Sequence, residues 1–205
     1  MNLFVIGATG HTGSHLVDLA LARGHHVTAF VRSPEKITRR EPGLAVTRGD
    51  PRDVNQLTHA LPGHDAVLSA LGVRPPEAFR PHSLVHECAA STVAAMTRAR
   101  VDRLVLVSAA VLFPERGLTF AFFRWLLQHI ARDLSSAEDV IRATPLEWTL
   151  ARPPRLVESR DEHYRAAPDA LPSGARTMSF RATAAFMLDA VEQRTHVREV
   201  VGLGA

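Results

Sequence analysis

The feature that most constrains this chain is a seven-residue loop, Gly7-Ala8-Thr9-Gly10-His11-Thr12-Gly13. It follows the apolar run Leu3-Phe4-Val5-Ile6 at once and opens directly into an amphipathic helical segment. Glycines at these intervals between a strand and a helix have separate uses. Gly7 suits a tight turn, Gly10 lets backbone approach a pyrophosphate, and Gly13 lets the helix lie close against the sheet. The helix start then offers unpaired N–H groups and a positive dipole end to phosphates. Thr9, His11 and Thr12, between the glycines, join them as candidate ligand contacts. The competing reading is a glycine turn that holds nothing.

The rest of the chain repeats this alternation. Strands are expected at Leu3 to Ile6, Val27 to Val31, Leu44 to Thr47, Ala66 to Ala70, Leu104 to Ser108, Trp148 to Ala151 and Glu199 to Leu203. Several are continuously apolar, as strands buried on both faces are. Helices are expected at Gly13 to Ala22, Asp53 to Ala60, Ser83 to Arg98, Ile130 to Thr144 and Ala182 to Gln193. In the third, Val85, Cys88, Ala89, Thr92, Val93 and Met96 recur at helical spacing and form a core-facing stripe. This alternation predicts an α/β fold: a doubly wound, mostly parallel sheet of about seven strands with helices on both faces. The 205 residues suffice for one such domain, residues 1–205, including a small C-terminal substrate-side region. Pro75-Pro76 and Ser159 to Gly174 read as long loops within it.

Composition narrows the partners. Hydrophobic residues make up 46% of the chain and charged ones 22%, which is globular composition. No apolar run reaches the roughly 18 residues a membrane span needs, and no basic segment precedes the first strand as in a secretory signal. A single cysteine, Cys88, cannot form an internal disulfide, which points to a reducing cytoplasm. Of the 24 basic residues 23 are arginine, scattered mostly singly, so the nucleic-acid footprint is weak.

The end of the second strand sets the cofactor type. An NAD site would place an acid there to bond the ribose 2′-hydroxyl. This chain reads Phe30-Val31-Arg32-Ser33-Pro34, with no acid before Glu35. Arg32 can pair with a 2′-phosphate through two nitrogens and stack on adenine, and Ser33 can add a hydroxyl. NADP(H) is therefore expected over NAD(H); the alternative leaves Arg32 as a solvated loop residue.

Taken in order, these segments resemble the atypical short-chain dehydrogenase/reductases. Within them the chain is similar to the small NAD(P)H-binding group that includes NmrA-like proteins and flavin reductases of the biliverdin reductase B type. The loop at residues 7 to 13 carries the resemblance, with Val31-Arg32-Ser33-Pro34-Glu35-Lys36, Gly49-Asp50 followed by Asp53, Leu71-Gly72, Val107-Ser108-Ala109, Trp148-Thr149-Leu150-Ala151-Arg152-Pro153-Pro154 and Arg181 to Leu188. It implies a Rossmann-like domain in which Asp50 accepts from the adenine amino group and Leu71 and Gly72 pass near the adenosine ribose and phosphates. By the same resemblance Ser108 and Ala109 approach the nicotinamide ribose, and Pro153 and Pro154 lie beside the nicotinamide ring.

The chemistry is bounded by what is missing. Ordinary short-chain dehydrogenases use a tyrosine and a lysine four residues later. Here the single lysine is Lys36 and the single tyrosine Tyr164, so that pair cannot exist. What remains is hydride transfer that relies on positioning, to a flavin, quinone or similar planar acceptor, or cofactor sensing without turnover through a protein partner, as the resemblance to NmrA-like proteins also allows. Phe113, Phe120, Phe122, Phe123 and Trp125 fall within thirteen residues. Phe113, Phe123 and Trp125 are candidate walls for a planar acceptor, with core packing or a dimer contact as the plain alternative. Ser108 is a candidate hydrogen-bond donor at the reacting centre. Arg152 is a candidate near the nicotinamide. Arg155 stands where the flavin reductase relative carries a histidine, and is a candidate for an anionic substrate group or developing negative charge, or else an ion pair with Glu158. The pairs His11/His15 and His82/His86 lack the glutamate of a His-Glu-x-x-His motif, and no second cysteine supports a zinc cluster, so no metal site is expected. His129 and Asp133 share a helical face and read as an exposed pair. Monomer and homodimer are both open.

Overall fold

The computed structural model describes residues 1–72, 81–113 and 127–205. Its main sheet contains all seven expected strands: β1 (Asn2–Ile6), β2 (His26–Val31), β3 (Leu44–Arg48), β4 (Ala66–Ser69), β5 (Arg103–Val107), β6 (Glu147–Arg152) and β10 (Glu199–Gly204). Five helices accompany them among the described residues: α1 (His11–Ala22), α2 (Val54–Ala60), α3 (Leu84–Ala99), α4 (Gln128–Arg142) and α5 (Phe180–Glu192). Three shorter strands, β7 (Arg155–Val157), β8 (Arg165–Pro168) and β9 (Thr177–Ser179), complete the set.

Side chains on successive strand positions leave by opposite faces, so each central strand serves two cores at once. Leu3 and Val5 of β1 pack with α1 and α5, while Phe4 and Ile6 pack with the α2, α3 and α4 side. Val105 of β5 faces the first core, and Leu104 and Leu106 the second. That arrangement is the physical reason these strands read as unbroken apolar runs. The edge strand β3 is covered less, and Val46 on it remains exposed.

The sheet order is β3-β2-β1-β4-β5-β6-β10-β8, with every pair parallel except β10 with β8. Strand order reverses between β1 and β4, and the carboxyl ends of these two strands open the crevice where such sheets bind ligands. The sheet thus has eight strands rather than seven. The added strand, β8, lies in the stretch from Ser159 to Gly174 that reads as loop; it pairs Ala166 with Leu203 and Ala167 with Gly202 on the otherwise open side of β10. β7 and β9 form a separate parallel pair that leads into α5, with Ser179 capping that helix through the Ala182 N–H. Pro75-Pro76 lies outside the described residues.

Candidate functional site

The loop after β1 is a cradle that only glycine fits. Gly7 has φ +85°, and a Cβ there would stand 2.7 Å from the Ala70 carbonyl oxygen. A Cβ on Gly13 would stand 2.0 Å from the Gly7 oxygen, so α1 sits directly against the loop backbone. The Gly10 N–H donates to the Gly7 oxygen at 2.9 Å and closes the turn.

The helix starts differ in a way that matters. α2 is capped by Asp53, which accepts from Asn55 and Gln56. α3 is capped from outside, because Asp133 of α4 accepts from the Val85 and His86 N–H groups at 3.0 and 2.8 Å. α1 has Gly10 at its cap position, no side-chain cap and no acid in its first turn. Its free N–H groups and positive dipole end therefore face the crevice uncompensated.

Two clefts meet at this point. The first, about 450 Å³, runs from Gly7, Thr9 and Gly10 past the end of β2 to Arg32, Ser33 and Lys36, with Leu71 and Gly72 on its other wall. No acidic side chain lines it among the described residues, and Arg32, exposed at its lip, has no ion-pair partner among them. The second, about 300 Å³, shares Gly10, Leu71 and Gly72 with the first and continues to His11, Thr12, His82, Ser108, Ala109 and Phe180. Val85, Val107, Ile130, Leu134 and Leu156 make its walls largely apolar. The lining of the two clefts thus brings Gly7, Thr9, Gly10, His11, Thr12, Arg32, Ser33, Leu71, Gly72, Ser108 and Ala109 to one continuous crevice. The residues present fit a dinucleotide: a glycine cradle, an open helix start for the pyrophosphate, and cations without carboxylates beyond it.

Other expected residues are placed differently. Asp50 does not line the first cleft; its carboxylate takes a two-pronged pair from Arg52, with an Nη2 to Oδ2 distance of 2.6 Å, which holds it below the usual carboxylate range. Arg152 is buried, and Glu138 accepts from its Nε and Nη2 at 2.9 and 2.6 Å. Ser108 donates its hydroxyl hydrogen to the same Glu138 at 2.6 Å. Arg142 adds a second cation at 3.3 Å, and Phe113 lies under the Arg152 guanidinium at 4.7 Å. Phe113 thus packs into the core and lines neither cleft, while Phe120, Phe122, Phe123 and Trp125 lie outside the described residues. Pro153 and Pro154 line neither cleft; the Pro153 carbonyl accepts from the Ala110 N–H. Arg155 is exposed on β7, and Glu158, its expected ion-pair partner, goes instead to His11 and His15 at 3.5 and 3.0 Å.

Sequence reasoning missed three residues of this region. Glu138 is the hub that fixes Ser108 and Arg152. Asp133, expected in an exposed pair with His129, is fully buried and accepts from the His82 Nδ1 at 2.8 Å. Phe180 stacks on His11 with ring centroids 4.8 Å apart. The signal for both acids was present: Asp133 and Glu138 share one helical face with Leu134, Ala137 and Ile141, the buried face of α4. The lone tyrosine stays away from this chemistry, since the Tyr164 hydroxyl donates to Asp189 of α5 at 2.6 Å.

Residues 7–194 match the family described as NAD(P)H-binding. The oxidoreductase stcQ of Emericella nidulans is 29% identical over 96% of this chain and 80% of its own length. A short-chain dehydrogenase/reductase from Veillonella parvula, solved in complex with NADP, superposes with a TM-score of 0.80 at 20% identity, covering 100% of this chain and 94% of that one. A putative NADH-flavin reductase from Streptococcus pneumoniae gives a TM-score of 0.79 at 22% identity, covering 100% and 99%. At those identities the two structures show the fold alone.

Proposed function

Since the chain belongs to the NAD(P)H-binding family, we propose that it is an NADPH-dependent reductase of a flavin, quinone or similar planar acceptor, working without a Tyr-Lys pair. The observation that carries this reading is the join between the two clefts: a cationic, acid-free one at the end of β2 and an apolar one at the end of β5, meeting over the open start of α1. The oxidoreductase named among its relatives supports the same class.

The residues divide the work by position. The N–H groups at the start of α1 hold the pyrophosphate, with Gly7, Gly10 and Gly13 giving it close backbone approach. Arg32, Ser33 and Lys36 bind the 2′-phosphate, which is why NADP(H) is favoured over NAD(H). Leu71 and Gly72, shared by the two clefts, pass near the adenosine ribose and phosphates, and Ser108 and Ala109 flank the nicotinamide half. The bound cofactor supplies the hydride. Ser108 is held by Glu138 with its oxygen lone pairs left to accept. Arg155, exposed on β7, lines neither cleft, and its proposed part is contact with an anionic group on an acceptor that reaches beyond them. The apolar walls exclude water from the reacting faces. The chain acts as one domain in the cytoplasm, its substrate side built by β7, β9 and the start of α5. Among the described residues no helix is long and apolar enough to cross a membrane.

The test is oxidation of NADPH by the purified protein with FMN, FAD and simple quinones, with NADH alongside, repeated with Arg32→Asp. Turnover with NADPH, and a loss of NADPH affinity of about 30-fold to 1,000-fold in the variant, is expected for a two-pronged phosphate contact. Tight NADPH binding with no turnover on any acceptor would instead favour a cofactor-sensing regulator. Unchanged affinity in Arg32→Asp would return Arg32 to the solvated loop.

A further inference from the structure

We propose that His82, held by Asp133, is the proton donor of the second cleft, and that the acceptor reduced there is a small conjugated carbonyl whose oxygen takes that proton. This rests on the reductase reading and adds to it a group that the loss of the Tyr-Lys pair leaves wanting.

The geometry is that of a histidine fixed for proton transfer. His82 lines the second cleft together with Ser108 and Ala109. Its Nδ1 lies 2.8 Å from the Asp133 Oδ2. The two oxygens of Asp133 also accept from the Val85 and His86 N–H groups. A carboxylate that receives three bonds is an acceptor throughout, so the hydrogen between it and His82 sits on Nδ1. Nδ1 is thereby fixed as a donor to Asp133, and exchange with the substrate is left to Nε2. That nitrogen is buried and has no hydrogen-bond partner among the described residues. An unpaired polar nitrogen in such a place has given up its bond to water without a replacement, a cost that a substrate oxygen bonded to it would relieve.

Ser108 cannot play this part in the arrangement seen, because its only hydrogen is donated to Glu138. Tyr164 is bonded to Asp189 of α5, and Lys36 lines the first cleft at the β2 end. Among the described residues, the charged and titratable groups that line the cleft with His82 are Asp133 from α4 and His11, which pairs with Glu158, and His86 of α3 meets the same Asp133 through its backbone N–H. Of these, Asp133 is the one in direct contact.

The proton step balances simply. Hydride addition to the conjugated carbonyl leaves an electron pair and negative charge on its oxygen. The Nε2–H bond of the imidazolium breaks, an O–H bond forms with that electron pair, and His82 is left neutral with Nδ1–H still given to Asp133. Water then returns a proton to Nε2. Asp133 is a positioning residue, since it orients the ring without touching the acceptor.

The experiment uses the full chain with NADPH and a panel of quinones and enones, comparing the parent with His82→Gln and His82→Ala. Dissociation constants for NADPH are measured by calorimetry, and histidine Cε1 protons are titrated by NMR. General acid catalysis contributes about 10²-fold to 10⁴-fold, so kcat in His82→Gln is expected to fall at least 100-fold. Its NADPH dissociation constant should stay within about twofold, the pH-dependent limb of the parent kcat profile should vanish, and one titrating histidine signal should disappear. Added imidazole should restore at least tenfold in His82→Ala. If the parent turns over but His82→Gln keeps its kcat and pH profile, the proposal is overturned and the reductase reading stands. If the parent binds NADPH and reduces FMN or FAD but nothing in the panel, the proposal is overturned and the reductase reading stands; if it reduces neither the flavins nor the panel, both fall together.

Discussion

Replacing Glu138 with glutamine tests whether the buried cluster behind Ser108 is held by charge. The substitution keeps the size of the side chain and one carbonyl oxygen but removes the carboxylate that accepts from both Arg152 nitrogens and from Ser108. Arg152 has a side chain only 11% exposed, so its guanidinium would remain buried over Phe113 without a counter-charge. Removing one partner of a buried pair costs about 3–5 kcal/mol, and the oxygen that glutamine retains points to the lower end, about 3 kcal/mol. In a chain of 205 residues each kcal/mol moves the melting temperature by about 2–4 °C, so Tm should fall by about 6–12 °C. Removing both charges, as Glu138→Leu with Arg152→Met, leaves no buried ion and costs about 1 kcal/mol for the Ser108 hydroxyl that loses its acceptor. Urea titrations of the three proteins read these differences directly. A single variant within 1 kcal/mol of the parent, or a double variant as unstable as the single, would refute the charge argument and leave shape alone as the reason for the cluster.

Three further outcomes are expected. Gly13→Ala places a methyl group against the Gly7 carbonyl, which is backbone and cannot rotate away; it should cost about 1–3 kcal/mol and weaken NADPH binding, both read by calorimetry. Burial pushes the Cys88 thiol up to about 12, so at pH 8 only about one molecule in ten thousand carries the thiolate. Alkylation by iodoacetamide should therefore follow the unfolding transition in urea, and rapid labelling of the native protein would contradict the burial. The Tyr164 phenol is raised above its ordinary value, first by burial and then by its bond to Asp189. Above about pH 10 the unfolded tyrosine ionises while the folded one keeps its proton, so stability holds below that pH and declines above it, by under about 1 kcal/mol per pH unit after solvent screening. The decline should be absent in Tyr164→Phe, and because Tyr164 is the only tyrosine, its absorbance titration reports the shift directly.

Local pattern alone fixes a good part of this molecule. The glycine loop dictates a strand-turn-helix unit, because Gly7 and Gly13 stand where a Cβ would strike backbone. The continuously apolar runs dictate inner strands, since a strand covered on both faces has no polar side to show, whereas β3 at the sheet edge is covered less. The absence of an acid after β2 and the single lysine and tyrosine are also facts of the chain, and they bound the chemistry before any coordinate is known.

Tertiary structure decided what depends on a partner distant in sequence. β8 reads Arg-Ala-Ala-Pro, with no β-branched residue, and becomes a strand only because β10 offers it an unpaired edge. Asp133 and Glu138 are ordinary helix surface residues by type. Their burial follows from the packing of α4 on α3 and beneath β5 and β6, where the α3 backbone N–H groups, His82, Ser108 and Arg152 converge on them. Glu158 could be matched to Arg155 by spacing, yet the fold brings His11 and His15 of α1 to it instead. Periodicity reports which face of an element is buried. It carries no information on which polar groups from other elements will meet there, and a buried charge is stable only through those meetings.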